Sequence, residues 1–162
     1  MNTVADARTT GRVDVETDSV VPPIVAAVDG SAASRSAIAE AVRLAADLDA
    51  PIAFVYVRRG PSGLFGMPVY QRRLTKETGR ARRVLDRALG VAETAGVAAE
   101  GVILEGSPRR RIPEFARDRG ARLVVVGSRA RRLGRSVSSG VVRTAGRPVV
   151  VAKGLPQLAA AR

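Results

Sequence analysis

Short apolar runs alternate along the chain with longer stretches that repeat at helical spacing. Ile24-Val25-Ala26-Ala27-Val28 is a continuous apolar run, the pattern of a strand covered on both faces. Asp29-Gly30-Ser31 breaks it, and Ser31 is a suitable N-cap for a helix over Ala32 to Ala50. Ile38, Ala41, Val42, Ala45 and Leu48 give that helix an inward face, and Pro51 ends it. Ile52 to Val57 reads as the second strand. The glycines and prolines between Arg58 and Gln71 predict a mobile loop, with a second helix from about Arg72 to Ala95. Its expected inward residues are Val84, Ala88, Val91 and Ala95, which leaves Arg72, Arg73, Lys76, Arg80, Arg83 and Arg87 mostly to solvent.

Gly96 marks the stop of that helix, and Val97 to Leu104 is a third strand interrupted by Gly101. Ser107-Pro108 has the form of an N-cap with proline at the first helical position. Pro113, inside the helix that follows, predicts a kink or a later start, because proline removes a backbone donor and crowds the preceding turn. Leu123 to Val126 is the fourth strand, about Val137 to Ala145 the fourth helix, and Pro148 to Ala152 the fifth strand.

This β-α-β-α-β-α-β-α-β order predicts an α/β fold, a five-stranded parallel sheet with helices on both faces. Such sheets take ligands at the carboxyl ends of their strands, where strand order reverses. Here those ends carry Asp29-Gly30-Ser31, Val57-Arg58, Glu105-Gly106 and Gly127-Ser128-Arg129. Residues 1–20 are polar and without period and read as a disordered arm; 21–154 form the domain; 155–162 read as a flexible tail.

Composition narrows the chemistry. Aromatics are 3% of the 162 residues, so the core must be aliphatic. The absence of cysteine and histidine removes disulfides, thiol catalysis, the usual zinc sites and the commonest general base. No paired carboxylates or serine–base arrangement stand at convincing spacing, so neither a catalytic residue nor a metal site is assigned; a weak ATPase is the enzymatic alternative. The formal net charge is +12, almost entirely from arginine, since Lys76 and Lys153 are the only lysines. This fits either an anion-binding surface or an arginine- and alanine-rich coding bias. The chain lacks both an apolar stretch of membrane-spanning length and a signal-peptide pattern, which points to the cytoplasm. Few aromatics and no recognisable reading helix argue against nucleic acid as a partner.

Three of these segments together resemble the universal stress protein family. The opening strand runs into Asp29-Gly30-Ser31; the fourth strand runs into Gly127-Ser128-Arg129; Ser136-Val137-Ser138 then precede Val141, Ala145 and Pro148-Val149. The resemblance spans about Pro23 to Lys153. It implies a Rossmann-like sheet of the adenine nucleotide alpha hydrolase type, with strand order 3-2-1-4-5. It implies a stress-response regulatory module that binds ATP or another adenine nucleotide, with Mg²⁺ if ATP. It also implies a homodimer through the last strand, at Val149, Val150 and Val151, with any further protein partner unknown.

Carried over residue by residue, Asp29 matches the family position that contacts adenine, with Gly30 and Ser31 in the same turn. Val57 matches a position whose backbone meets the base. Gly127 matches the first glycine of the phosphate loop, and Ser136, Val137 and Ser138 lie where the phosphates bind. That loop otherwise departs from the family pattern of Gly, two residues, Gly, nine residues, then Gly-Ser or Gly-Thr. Ala130 stands at the second glycine, Arg135 at the third, and the loop is about five residues short. Alanine and arginine Cβ atoms narrow the approach of backbone amides to phosphate. Arg129, Arg131, Arg132 and Arg135 place four cations beside the last helix, and guanidinium groups suit phosphate. Two readings stay open: a phosphate site rebuilt from arginine side chains, or the same fold without nucleotide, acting through protein contacts. The ordinary roles are equally concrete: Asp29 as a turn acid, Val57 as strand packing, Gly127 as a tight turn, Ser136 as an N-cap.

Overall fold

The computed structural model describes residues 21–58, 67–128 and 137–153. Five strands, β1 (Ile24–Ala27), β2 (Ile52–Arg58), β3 (Ala99–Glu105), β4 (Leu123–Ser128) and β5 (Val149–Lys153), alternate with four helices, α1 (Ala32–Leu48), α2 (Met67–Thr94), α3 (Pro108–Asp118) and α4 (Val137–Thr144). All strand pairs are parallel, in the order β3-β2-β1-β4-β5. Both the architecture and the strand order agree with the expectation from sequence.

Helices cover both faces. On one, α1 and α2 pack Ile38, Ala41, Val42, Leu85 and Ala88 against Ile24, Ala26, Phe54 and Tyr56. On the other, α3 and α4 pack Ile112, Ala116 and Val141, with Ala145 just after α4, against Val25, Val55, Val124 and Val126. Because consecutive strand residues point to opposite faces, a strand buried on both sides has no polar position to spare. Hence Ile24, Val25 and Ala26 are all fully buried.

Three local expectations change. First, α2 begins at Met67, earlier than the glycine-rich sequence suggested; Pro68 falls in its first turn, where no intrahelical donor is lost. Second, its inward stripe is Ala81, Val84, Leu85, Ala88 and Ala92, while Val91 is 46% exposed and Ala95 is also exposed. One residue is about 100° of helix, so the line through Leu85, Ala88 and Ala92 turns Val91 off the sheet. Third, α3 runs through Pro113 as a single helix. The proline ring is fully buried, and this packing compensates for the donor it withholds.

Gly101 does not interrupt β3. It lies within the strand at a point where α2 comes close, a Cβ there falling 3.4 Å from Leu85 Cβ. Helix α3 starts at Pro108, the first helical position that Ser107-Pro108 suggested, and α4 starts and stops within a residue of its expected bounds. No described helix is long and apolar enough to cross a membrane.

Candidate functional site

The connections from β1 and β4 leave the sheet toward opposite faces: α1 packs on the first layer and leads to β2, α4 on the second and leads to β5. The carboxyl ends of β1 and β4 therefore flank the switch point of the sheet, where a doubly wound fold opens a crevice. Register places the sequence-selected residues around it. Ala27 is level with Val55, and the Val28 amide donates to the Val55 carbonyl at 2.9 Å. Ala26 is level with Val125. The Asp29 turn follows the end of β1, between the last residues of its two neighbours, Val57 of β2 and the Gly127-Ser128 pair of β4.

The Asp29 turn is tied by its own side chains. Asp29 Oδ1 accepts the Ser31 amide at 2.9 Å, and Ser31 Oγ caps α1 by accepting the Ser34 amide at 3.2 Å. Ser34 Oγ in turn accepts the Asp29 amide at 3.1 Å. Ser34 is buried at 3% exposure, so these bonds satisfy donors that would otherwise be stranded at the helix start. Gly30 sits at φ +79, and a Cβ there would lie 2.9 Å from Val84 Cγ2, so α2 clamps the turn from above. Asp29 itself is exposed, leaving its carboxylate at the mouth of the crevice.

Gly127 has a packing reason of its own. It is a strand residue, level with Ala152, and a Cβ on it would fall 2.2 Å from the Ala33 carbonyl oxygen. The first turn of α1 crosses β4 at this point, and only a residue without a side chain allows it.

The far side of the crevice is the first turn of α4. Val137 is 41% exposed, and Ser138 is buried at 8%. Arg129, Arg131, Arg132, Arg135 and Ser136, together with Ala130, lie outside the described residues, as do the N-terminal arm, most of the loop after β2 and the C-terminal tail. On the other rim, Arg58 Nη2 donates to Glu105 Oε2 at 2.5 Å, and the Gly106 amide donates to the Arg58 carbonyl at 2.9 Å. Glu105 is therefore engaged in an ion pair.

Two participants were not apparent from sequence. Ser34 carried little signal, because the capping box has Glu or Gln three residues after the cap. Tyr56 had none. It is 6% exposed, and burial pushes its phenol above the usual range; Arg80 opposes that shift, while Glu77 and Asp29 add to it. Its neighbours come from α2 and from the turn after β1, so only the fold brings them together. Among the described residues no cluster of three acidic side chains could hold a metal ion.

A doubly wound parallel sheet with a turn at its switch point defines the class of open α/β domains that take ligands at the carboxyl ends of their strands. Comparison with known proteins then gives the family. The family model described as the universal stress protein family matches residues 21–153. A universal stress protein of Methanocaldococcus jannaschii is 32% identical over 146 residues, 84% of this chain and 84% of that protein. The crystal structure of a universal stress protein family member from Burkholderia pseudomallei superposes with a TM-score of 0.65 at 32% identity, covering 82% of this chain and 96% of that one. The universal stress protein of Archaeoglobus fulgidus in complex with dAMP shares the fold, with a TM-score of 0.65 at 24% identity over 82% of this chain and 98% of that one. The chain belongs to the universal stress protein family.

Proposed function

We propose that this chain is a nucleotide-responsive regulatory module of the stress response, which takes an adenine nucleotide into the crevice between the ends of β1 and β4. It regulates rather than catalyses, and it acts in the cytoplasm as a homodimer joined through β5. The observation that carries the reading is that the Asp29 turn after β1 lies between the carboxyl-terminal residues of β2 and β4, which include Val57 and Gly127, at the switch point. Relatives of the same fold are known in complex with dAMP, cAMP and AMP, which supplies the ligand class.

In this reading the Asp29 carboxylate, with Gly30 and Ser31 fixing its direction, accepts a hydrogen bond from the adenine amino group, and the Val57 backbone meets the base edge. Val137 and Ser138 offer the start of α4 to the phosphates. Arg129, Arg135 and Ser136 supply, by their place in the sequence, the cations and hydroxyl that a glycine-poor loop lacks. Guanidinium groups bind phosphate oxygens in two-pronged geometry and so replace backbone amides with side chains. If the nucleotide is ATP, Mg²⁺ is held chiefly by phosphate and water, as is usual for this ion.

The homodimer reading rests on the edge position of β5, whose Val149 and Val150 are half-buried and whose Val151 is 37% exposed. An uncovered strand edge of this composition invites pairing with another copy.

A second reading keeps the fold and removes the nucleotide. One specific observation favours it: the glycine of β4 is already required by the approach of Ala33, so its presence is no sign of a phosphate.

Titration calorimetry of the full chain with ATP and Mg²⁺, AMP and cAMP separates the two. Asp29→Asn is the informative variant, because it keeps an oxygen for the Ser31 amide while removing the charge. Saturable binding, weakened about tenfold in Asp29→Asn with an unchanged unfolding midpoint, is the result expected from losing one charge-assisted hydrogen bond. No heat and no thermal shift at millimolar nucleotide would establish the second reading.

A further inference from the structure

Arg72, Lys76, Arg80, Arg83 and Arg87 are all exposed on α2. Their spacing of four, four, three and four residues keeps them within an arc of about 80° at about 100° per residue. Along the axis they extend about 22 Å at 1.5 Å per residue, one cation every 5 to 6 Å or so. The carboxylates of α2, Glu77, Asp86 and Glu93, all fall outside this arc. Among the described residues none of the five cations is in an ion pair, whereas Arg43, Arg58, Arg110, Arg111 and Arg119 each meet a carboxylate. Like charges three and four residues apart on a helix repel, so the stripe costs stability in the isolated protein. An anion laid along it would remove that cost.

The character of the anion follows from what surrounds the stripe. The apolar face of α2, Ala81, Leu85, Ala88 and Ala92, is spent on the sheet; among the described residues of the helix the exposed apolar side chain beside the cations is Val91, next to Arg87, which is too little for insertion into a bilayer. No tryptophan is present and no described aromatic lies in the arc, so stacked single-stranded bases have no platform. What remains is a straight row of cations, four of them arginine. Arg83 folds back along the helix, its Nη1 3.6 Å from the position a Cβ on Gly79 would take, so it follows the stripe rather than leaving it.

We propose that this face of α2 binds the phosphate backbone of double-stranded nucleic acid, without reading its sequence. Phosphate contacts position a protein on a duplex and carry no base information, which matches a surface offering charge alone. Apart from Arg80, which also acts on Tyr56, the stripe is separate from the crevice and stands whether or not a nucleotide binds there.

The test is fluorescence anisotropy of a labelled duplex of about 30 base pairs with the full chain, across salt concentrations. Four to five phosphate contacts give a slope of log affinity against log salt of about −4, and a loss of about 10²-fold between 50 and 200 mM salt. Arg83→Gln with Arg87→Gln, chosen away from Asp29 and Tyr56, should reduce the magnitude of that slope by about 1.8. Arg117→Gln with Arg143→Gln, exposed on the helices of the opposite face, removes the same charge and should leave the slope unchanged. Equal losses in the two double variants would assign the effect to net charge and overturn the proposal, as would no saturable binding at 50 mM salt. Vesicles of phosphatidylserine and phosphatidylcholine form the last arm. If they displace the duplex and their capture depends on Arg83 and Arg87, the partner is a lipid surface and the proposal is wrong.

Discussion

Gly127→Ala tests the central packing relation of the fold. Gly127 has ordinary strand geometry, so alanine meets no conformational objection there; only space decides. The added Cβ would lie 2.2 Å from the Ala33 carbonyl oxygen, 2.5 Å from its carbonyl carbon and 3.0 Å from its Cβ. Two of these are backbone atoms in the first turn of α1, which cannot rotate away as a side-chain tip would. Either α1 lifts from β4 or β4 moves, and both disturb a fully buried layer that includes Ala37 and Val125. Overpacking of this kind costs about 3 kcal/mol, the upper part of the usual range. With a urea m-value of about 2 kcal/mol/M, the unfolding midpoint should fall by about 1.5 M. Gly90→Ala is the paired control. It is a helical glycine with nothing within 4 Å of an added Cβ, so the same substitution should stabilise by about 0.5 to 1 kcal/mol. Urea denaturation followed by circular dichroism reads both. A neutral Gly127→Ala, within about 0.5 kcal/mol of the parent, would refute the close approach of α1 to β4. The expected result also warns that nucleotide lost in a Gly127 variant says nothing about phosphate contact.

Three further outcomes are expected. Ser31→Ala removes the hydroxyl that accepts the Ser34 amide and should cost about 1 kcal/mol, read by the same denaturation assay. The Tyr56 phenol is pushed above its ordinary value of 10.0, chiefly by burial, so the folded state favours the neutral form. The stability this contributes is complete below pH 10 and is lost as pH rises through the folded value. Tyr56→Phe should flatten that alkaline fall in thermal melts between pH 9 and 11.5; an identical slope in both proteins would remove Tyr56 as its source. Val151→Lys places a charge on the exposed edge of β5, and light scattering should show a dimer for the parent and a monomer for the variant; a dimer in both would exclude this edge.

Much of the fold was legible in the chain because two different periods lie side by side. Continuous apolar runs such as Ile24 to Val28 fit only strands covered on both faces, and the helical spacing of Ile38, Ala41, Val42 and Ala45 fits only a helix on one of them. With right-handed crossovers, that order leaves few sheets to choose from. The Asp29-Gly30-Ser31 turn was legible for a similar reason: the hydrogen bonds that hold it join residues two to five apart.

Local pattern ran out where the deciding neighbour is distant in the chain. Val91 and Ala92 are equally apolar to a helical count, and only the line along which α2 meets the sheet makes one exposed and the other buried. Pro113 reads as a breaker until the core around its ring is known. Gly127 looks like a phosphate-loop glycine by its motif, yet a carbonyl almost a hundred residues earlier requires it. Tyr56 acquires its electrostatic setting from Asp29, Glu77 and Arg80, on other elements. The sequence by itself determined which segments become strands and helices, their order and the turn that opens the crevice, because these follow from short-range periodicity and capping. Only the tertiary structure decided which residues share that crevice and which glycine is spent on packing, because contact at 3 Å between distant segments leaves no trace in local spacing.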